Sequence, residues 1–431
     1  MSTQLARTIG LTQATAMVVG TIVGSSIFVQ PSEVSKAVPS FGGMLLVWIA
    51  AGALTWFGAS ICAELSSAYP KTGGVYVFLR GMFSPAAGFL WGWAMFWSMH
   101  SGIIAAIAMV FGRYFATIVP LNDFGIRLVA VSAIAALSAI NYIGVRPGSS
   151  LQTALTIAKI GAIGVLLILL FGMGTLEVPA SLGAIAPREF LRALVAGLFA
   201  FGGWHMVTYA AEETHSPERI IPRALMLGTA VVVVIYLALN SAYLLVLPFH
   251  AVLNSTHIAF DATLATAGPG AASAISILVI VSSFGAISGI VLAGPRVYYA
   301  MAEDGLLFKW MGAVHPRHQT PYLAIVVQGI WSSVLVLTGT YGAIVSRVVY
   351  TEWIFFGALA LGTIALRRSH DYAPAFRAWG FPIVPIVFAL VCLAIVLNQI
   401  ATDPRESLTG LALVVAGLPV YYFWRRPDAR D

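Results

Sequence analysis

The sequence predicts an all-α polytopic membrane protein with about twelve transmembrane helices, and three observations predict it. Of 431 residues, 59% are hydrophobic and only 9% are charged, against roughly 25% charged in soluble domains. Apolar stretches of about 20 residues recur along the whole chain, the length that crosses a hydrocarbon core of roughly 30 Å. Inside lipid the chain itself must satisfy its backbone polar groups, which makes these stretches helices.

Taken in order, the apolar windows place spans near 9–36, 42–69, 83–118, 124–143, 152–173, 190–213, 223–247, 270–300, 322–340, 348–366, 381–400 and 408–424. The third and eighth exceed a straight crossing, so tilt or extension beyond the bilayer is expected. Between spans, "AYPKTGGVYVFLRG" and "MAEDGLLFKWMGAVHPRHQTP" read as short amphipathic connections. The stretch "PFHAVLNSTHIAFDATLATAGPG" (248–270) is the longest external excursion, either a cover over an outer vestibule or a simple connecting loop. The N-terminal "MSTQLARTIGLTQ" runs into a segment too long for a signal-peptide core, so no cleavage is expected. No low-complexity segment or soluble domain interrupts the chain, which reads as one transmembrane domain, 1–431. Cys62 and Cys392 both fall in apolar segments and suggest neither a disulfide framework nor a metal site.

Lys and Arg set the orientation. With the N-terminus inside, 15 fall on inward loops and ends, among them Arg7, Lys71, Arg80, Arg146, Arg219, Arg223, Arg296, Arg367, Arg425, Arg426 and Arg430. Only 7 fall outside, among them Arg113, Arg188 and Arg347, and Lys159 is left within a span. Both termini are therefore expected on the cytoplasmic side.

Two spans carry breaks. The first contains "VGTIVGSSIFVQP" (19–31), where Gly20, Gly24, Ser25 and Ser26 crowd before Pro31. The sixth contains "GLFAFGGWHMVTYAAEE" (197–213), with Gly202 and Gly203 inside the apolar run. Each Gly costs a helix about 1 kcal/mol against Ala, and any one of them is accounted for by close helix packing. Packing does not account for two breaks at the first helix of successive five-helix units, a pattern that points to a transporter binding site. An unwound turn exposes N–H groups that suit a carboxylate and carbonyls that suit an ammonium, so the pair fits a zwitterion.

These residues resemble the amino acid–polyamine–organocation superfamily, and within it the L-type amino acid transporter branch and its bacterial relatives. "GTIVGSSIF" is similar to the family's first-helix pattern, with Ser26 where the family usually has Gly. "GLFAFGGW" followed by "EE" and "PERIIPRA", "YPKTGGVYVFLR", and "SSFGAISG" followed by "RVYYAMAEDGLLF" also fit. The resemblance covers most of the chain. It implies a five-plus-five inverted repeat (LeuT-like), with one repeat over about 9–173, the second over about 190–366, and two extra helices over about 381–424. It further implies a substrate amino acid held between the unwound parts of the first and sixth helices. The α-carboxylate would meet the backbone N–H groups of Ser25 and Ser26 and the Ser25 hydroxyl. The α-ammonium would meet carbonyls of Ile22, Phe199 and Gly202, with Ala200 in the same turn. Phe199 and Phe201 would be gating aromatics. Ser26 keeps the N–H but adds a side chain where the backbone approaches the ligand.

Two ionisable residues lie within spans, where a charge costs about 2.5–3.5 kcal/mol. For Lys159 the resemblance implies the place of a bound sodium, tying the fifth helix to the first and eighth with Ser282 and Ser283 as neighbours. Structural tie and proton carrier both stay open, and an ammonium there argues against sodium coupling. Glu352, beside Trp353, aligns with a polar substrate-facing position of the family. It reads equally as a contact for the substrate side chain, a proton-relay carboxylate or a partner for an internal cation. Glu64 is a weaker case, His100 reads better as a packed, hydrogen-bonded residue, and Glu212 and Glu213 are expected to pair with Arg219 or Arg223 in an inner gate.

The expected function is secondary active transport of small or medium neutral L-amino acids across the cytoplasmic (inner) membrane, by sodium-independent exchange or proton-linked uptake. The rival is a transporter of cationic amino acids or polyamines. An intramembrane enzyme lacks its motifs, since the sequence has no HExxH or GxSxG. A channel would need a continuous polar lining. The expected partners are a small-molecule amino acid and the lipid bilayer, with no cofactor, no metal and no nucleic acid. The family's animal members pair through a cysteine in an outward loop after the third helix, and this chain has none there, so no disulfide-linked ancillary subunit is expected.

Overall fold

Eleven helices among the described residues are long and apolar enough to cross a membrane, and Tyr322–Thr338 adds a shorter apolar helix of 17 residues. The computed structural model describes residues 7, 9–143, 148–173, 185–318 and 320–424. Arg146, Arg425, Arg426 and Arg430 of the charge count lie outside them. No β-strand occurs among the described residues. An isolated bridge joins Ile9 to Thr214.

The first crossing is α1 (Leu11–Ile22), a 3-10 turn (Ser26–Phe28) and α2 (Gln30–Ala37). The second is α3 (Phe41–Ala68), capped by the Ser40 side chain, which accepts from Gly43 N–H. A short α4 (Val75–Met82) follows; it buries Val75, Tyr76, Phe78 and Leu79 and leaves Arg80 outward, the amphipathic connection expected of "YPKTGGVYVFLRG". The third crossing joins α5 (Pro85–Ala94) to α6 (His100–Phe115) through a π-turn over Met95–Met99. Then come α7 (Asp123–Ile143), α8 (Gly148–Met173) and the broken pair α9 (Pro187–Ala200) and the 3-10 segment Trp204–Glu213. The remainder is α10 (Pro217–Val246), α11 (Phe249–Asn254), α12 (Ile258–Glu303), α13 (Tyr322–Thr338), α14 (Tyr341–Leu366), α15 (Ile383–Thr402), α16 (Pro404–Val415) and α17 (Gly417–Trp424).

Two expectations change. The excursion 248–270 is helical rather than a loop: α11 packs on α2 and α10, and α12 begins at Ile258, with a break at Gly268, where φ is +80. The tenth span starts at Tyr341, not near 348. Arg347 does not end the apolar helix because Glu406 neutralises it in an ion pair, and the Thr340 side chain caps the true start at Ala343 N–H.

Lipid tails are as apolar as leucine, so helices in a membrane associate through close packing and polar ties. At Gly228 in α10 a Cβ would fall 2.6 Å from Val18 Cγ1 of α1, so only glycine permits that approach. The outward faces are apolar, with Phe124, Ile168, Val234 and Leu390 each at least 60% exposed; contiguous surface of this kind is meant for lipid. One such polar tie is Glu64, fully buried on α3. It accepts from Arg367 Nε at 2.7 Å, from Arg367 Nη2, and from Ala378 N–H at 2.7 Å. That bidentate pair welds α3 to the far end of α14 and the segment before α15, which gives Glu64 a structural role. Removing one partner leaves an uncompensated buried charge, so Glu64→Ala is expected to destabilise by about 3–5 kcal/mol, read as a fall in the thermal midpoint in detergent.

Candidate functional site

The break after α1 is built by small residues. Val23 leaves helical geometry with φ −72 and ψ 72, and Gly24 N–H folds back onto Ile22 O at 2.6 Å. The N–H groups of Ser25, Ser26 and Ile27 then find no backbone acceptor among the described residues, and they point out of the start of the second half of the crossing. After α9, Gly202 N–H turns back to Phe199 O at 3.0 Å, and Gly203 takes φ +99, a conformation that favours glycine. The two breaks abut. A Cβ on Gly203 would lie 3.2 Å from Thr21 O, and Thr21 Oγ1 donates to Gly203 O at 3.2 Å.

Two side chains from neighbouring helices hold the broken ends. The Tyr236 hydroxyl of α10 is 2.8 Å from Ile22 O and 3.1 Å from Ala200 O, the last carbonyls of α1 and α9. Lys159 Nζ of α8 donates to Val23 O at 2.6 Å and reaches Gly20 O at 3.5 Å. Ser282 shares a small cleft with Lys159, whereas Ser283 Oγ is spent on Val279 O of its own helix at 2.6 Å.

Between the breaks lies a cavity. The expected residues Ile22, Ser26, Phe199, Ala200, Gly202 and Glu352 line it together with Thr21, Gly24, Gly203 and the apolar side chains of Ile103, Ile107, Met206, Ile290 and Val348. It has room for about one or two water molecules, each needing about 10–15 Å³. Ser25 does not line it; its buried Oγ has no hydrogen-bond partner among the described residues. Trp353 and Phe201 do not line it either. Consecutive helical residues are about 100° apart, so Trp353 turns from Glu352 toward Phe388 of α15, with ring centroids 5.4 Å apart. Phe201 turns toward Tyr236 at 4.8 Å and Trp48 at 6.1 Å.

Side chains close over the cavity toward both faces. On the face away from the N-terminus, Phe199 meets Tyr341 edge-on at 6.5 Å. Tyr341 accepts from Gln30 Nε2 at 3.0 Å and lies under Arg113 at 4.7 Å. On the N-terminal face, Ile9 pairs with the end of the 204–213 segment, donating to Glu213 O at 3.0 Å. The carboxylate of Glu213 meets Arg296 of α12 at 3.1 Å, not Arg219 or Arg223 as expected, because the segment ends beside the last turns of α12. Asp304, just past α12, holds both Arg80 and the Tyr76 hydroxyl of α4. Burial and the Asp304 hydrogen bond push the Tyr76 phenol well above its ordinary range, so this contact keeps its proton through the physiological pH range.

Two residues that sequence reasoning passed over belong to the site, and a third, His205, packs beside it. Thr21 stood inside the quoted patch. Tyr236 was a lone tyrosine in "VVVVIYLALN", and a buried tyrosine hydroxyl usually finds a partner. His205 sits in an aromatic cage of Trp91, Trp204, Tyr209 and Phe356, all within 5.7 Å.

The amino acid permease family model matches residues 9–421. This chain belongs to the amino acid permease family. The serine/threonine exchanger SteT of Bacillus subtilis (strain 168) is 30% identical over 435 residues, covering 99% of this chain and 98% of that protein. The cystine/glutamate transporter of Homo sapiens is 28% identical over 434 residues, covering 98% and 86%. The b(0,+)-type amino acid transporter 1 of Mus musculus is 28% identical over 439 residues, covering 98% and 88%. The permease is thus a multi-pass membrane amino acid transporter.

Tyr236→Phe withdraws the one donor shared by two buried carbonyls, at a cost of about 1–3 kcal/mol. The expected outcome is a lower thermal midpoint and slower transport in liposomes. Tyr243→Phe is the control: that buried hydroxyl has no partner among the described residues, and its removal is expected to cost less.

Proposed function

We propose that the permease exchanges small or medium neutral L-amino acids without sodium, by alternating access. The observation that carries this reading is the abutment of the two helix breaks at the cavity. The N–H groups of Ser25 and Ser26 would receive the α-carboxylate; the Ser25 hydroxyl lies outside the cavity lining and would have to turn inward to join them. The carbonyls of Ile22, Phe199 and Gly202 would receive the α-ammonium. Ile22 O already accepts from Gly24 N–H and the Tyr236 hydroxyl, and Phe199 O from Gly202 N–H and Phe201 N–H, which takes both lone pairs of each carbonyl, so the ammonium would displace one of these donors. The narrow cavity favours small side chains, and a relative named as a serine/threonine exchanger agrees with that class. Lys159 supports sodium independence: its ammonium is engaged by the carbonyls at the end of α1, and a second cation beside it would be repelled.

Alternating access follows from the two closures. Opening toward one face requires the Phe199–Tyr341 contact to part while Glu213–Arg296 stays, and the reverse for the other face. The moving parts would be the repeats 9–173 and 190–366 about the midplane, with α15, α16 and α17 outside them. We place both termini on the cytoplasmic side of the cell membrane, in a bacterium the inner membrane, on the Lys and Arg count. Burial of both Cys62 and Cys392 agrees with a chain that works without a disulfide-linked subunit.

Purified protein in liposomes tests this. Labelled serine or alanine is expected to enter only when the lumen holds unlabelled amino acid, at the same rate with sodium or potassium outside. Uptake that requires sodium, or no uptake of any amino acid, would refute it. Uptake into empty liposomes driven by a pH gradient would instead establish proton-linked transport. In the same assay Ser26→Gly, which clears a side chain from the cavity wall, is expected to retain serine exchange and admit larger neutral substrates. Loss of exchange in that variant would make the Ser26 hydroxyl essential.

A further inference from the structure

The non-helical segment 367–382, between α14 and α15 on the N-terminal face, is pinned to the bundle by its backbone. Phe376 N–H donates to Ser67 Oγ at 3.1 Å, Ala378 N–H donates to Glu64 at 2.7 Å, and Ala378 O accepts from Arg367 Nη2 at 2.9 Å. Ala378 is thereby buried, while its neighbours Arg377 and Trp379 face outward. Trp379 is 84% exposed, and the pinned backbone leaves it no way to tuck the indole inward. In a membrane protein such a ring belongs at the boundary between lipid tails and water.

The cations beside it are uncommitted. Arg367 is taken, since its guanidinium pairs with Glu64 and lies over the Phe381 ring at 4.2 Å. Arg368 and Arg377 are exposed and have no ion pair among the described residues. Asp371, the acid of the segment, is exposed and likewise unpaired among them. Directly beyond, α15 begins with Ile383, Val387 and Leu390, all exposed and spaced to share one helical face. From water toward the membrane interior the surface therefore runs cations, indole, apolar stripe. A phospholipid has the same order: phosphate, glycerol, acyl chain. Guanidinium groups match phosphate geometry, and two unpaired arginines favour a headgroup that carries no cation of its own.

We propose that the junction of α14 and α15 is a binding site for an anionic phospholipid of the leaflet at the N-terminal face. Arg368 and Arg377 hold the headgroup phosphate, Trp379 lies at the level of the glycerol, and an acyl chain follows the exposed stripe of α15. The lipid acts as a brace. It grips the segment that Glu64 and Arg367 weld to α3, so a ligand bound to the folded state alone stabilises that state by mass action. This site involves no transported substrate and stands apart from the exchange function proposed above.

The test titrates full-length protein in a mild non-ionic detergent with phosphatidylglycerol or phosphatidylcholine and reads the thermal midpoint. The expected result is a saturable rise with phosphatidylglycerol and none with phosphatidylcholine. Arg368→Gln combined with Arg377→Gln is expected to leave the lipid-free midpoint unchanged and to raise the half-saturating phosphatidylglycerol concentration roughly thirtyfold, at about 1 kcal/mol per surface cation. Trp379→Ala is expected to raise it in the same direction. Arg219→Gln combined with Arg223→Gln removes two exposed arginines of the same face on α10 and is expected to keep the wild-type response. Equal midpoints with the two lipids would overturn the proposal, as would an undiminished response in the 368/377 variant. An equal loss in the α10 variant would also overturn it, because the attraction would then belong to the whole basic face. Inorganic phosphate or glycerol phosphate is expected to give no shift, and a full shift with either would replace the lipid by a free anion. The contrast between lipids on the wild-type protein, with Trp379→Ala, decides the matter even if the double variant fails to fold.

Discussion

In hydrocarbon, a backbone carbonyl or amide that leaves its helix has no solvent to turn to, yet this permease interrupts two helices where that rule applies. The rest of the structure is arranged around the groups so released. Ile22 O and Ala200 O share the Tyr236 hydroxyl, Val23 O is taken by Lys159, and Gly203 O by Thr21. Among the described residues, the N–H groups of Ser25, Ser26 and Ile27 find no backbone acceptor. The helix ends are thus held by the protein, and on the function proposed above the free donors would receive the substrate carboxylate. On that reading, a binding site for a zwitterion is what a membrane helix gains by being broken and incompletely repaired.

The same economy shapes the charged residues. A transmembrane bundle tolerates an ionised side chain only when it is paired, and Glu64 with Arg367, Arg347 with Glu406, and Glu213 with Arg296 meet that condition across elements distant in sequence. The first two fix helices against one another. The third stands where the 204–213 segment meets α12, and in the proposed alternating access it belongs to a closure that would open. Position, not pairing, separates scaffold from gate.

Much of this was legible in the sequence, because its signals are long or local. Twelve apolar runs are visible by length alone, and the breaks at Gly24 and Gly202–Gly203 are visible because glycines interrupt them. Identity of the cavity-lining turn followed from the same letters. What the sequence withheld depends on rotation and on long-range pairing. Trp353 and Phe201 sit next to cavity residues in the chain, but a helix turns neighbours away from each other. Glu213 found Arg296 rather than the nearer Arg219, since separation along the chain says little about which helix end lies beside it. The tenth span was read short because Arg347 reads as a boundary until its partner Glu406, 59 residues on, is known. In the 248–270 stretch, the Asn, Ser, Thr and Gly content masks the short α11 and the first turns of the long α12.

The Tyr236 hydroxyl carries a single hydrogen and stands within reach of two acceptors, one at the end of each interrupted helix. It can serve only one of them fully at a time. Any displacement that lengthens its bond to Ile22 O frees that hydrogen for Ala200 O, and the reverse displacement returns it. The two interruptions, 178 positions apart in the chain, are therefore rivals for one donor. A rivalry of that kind makes their movements complementary without any direct lever between them: as one end loosens, the other is secured.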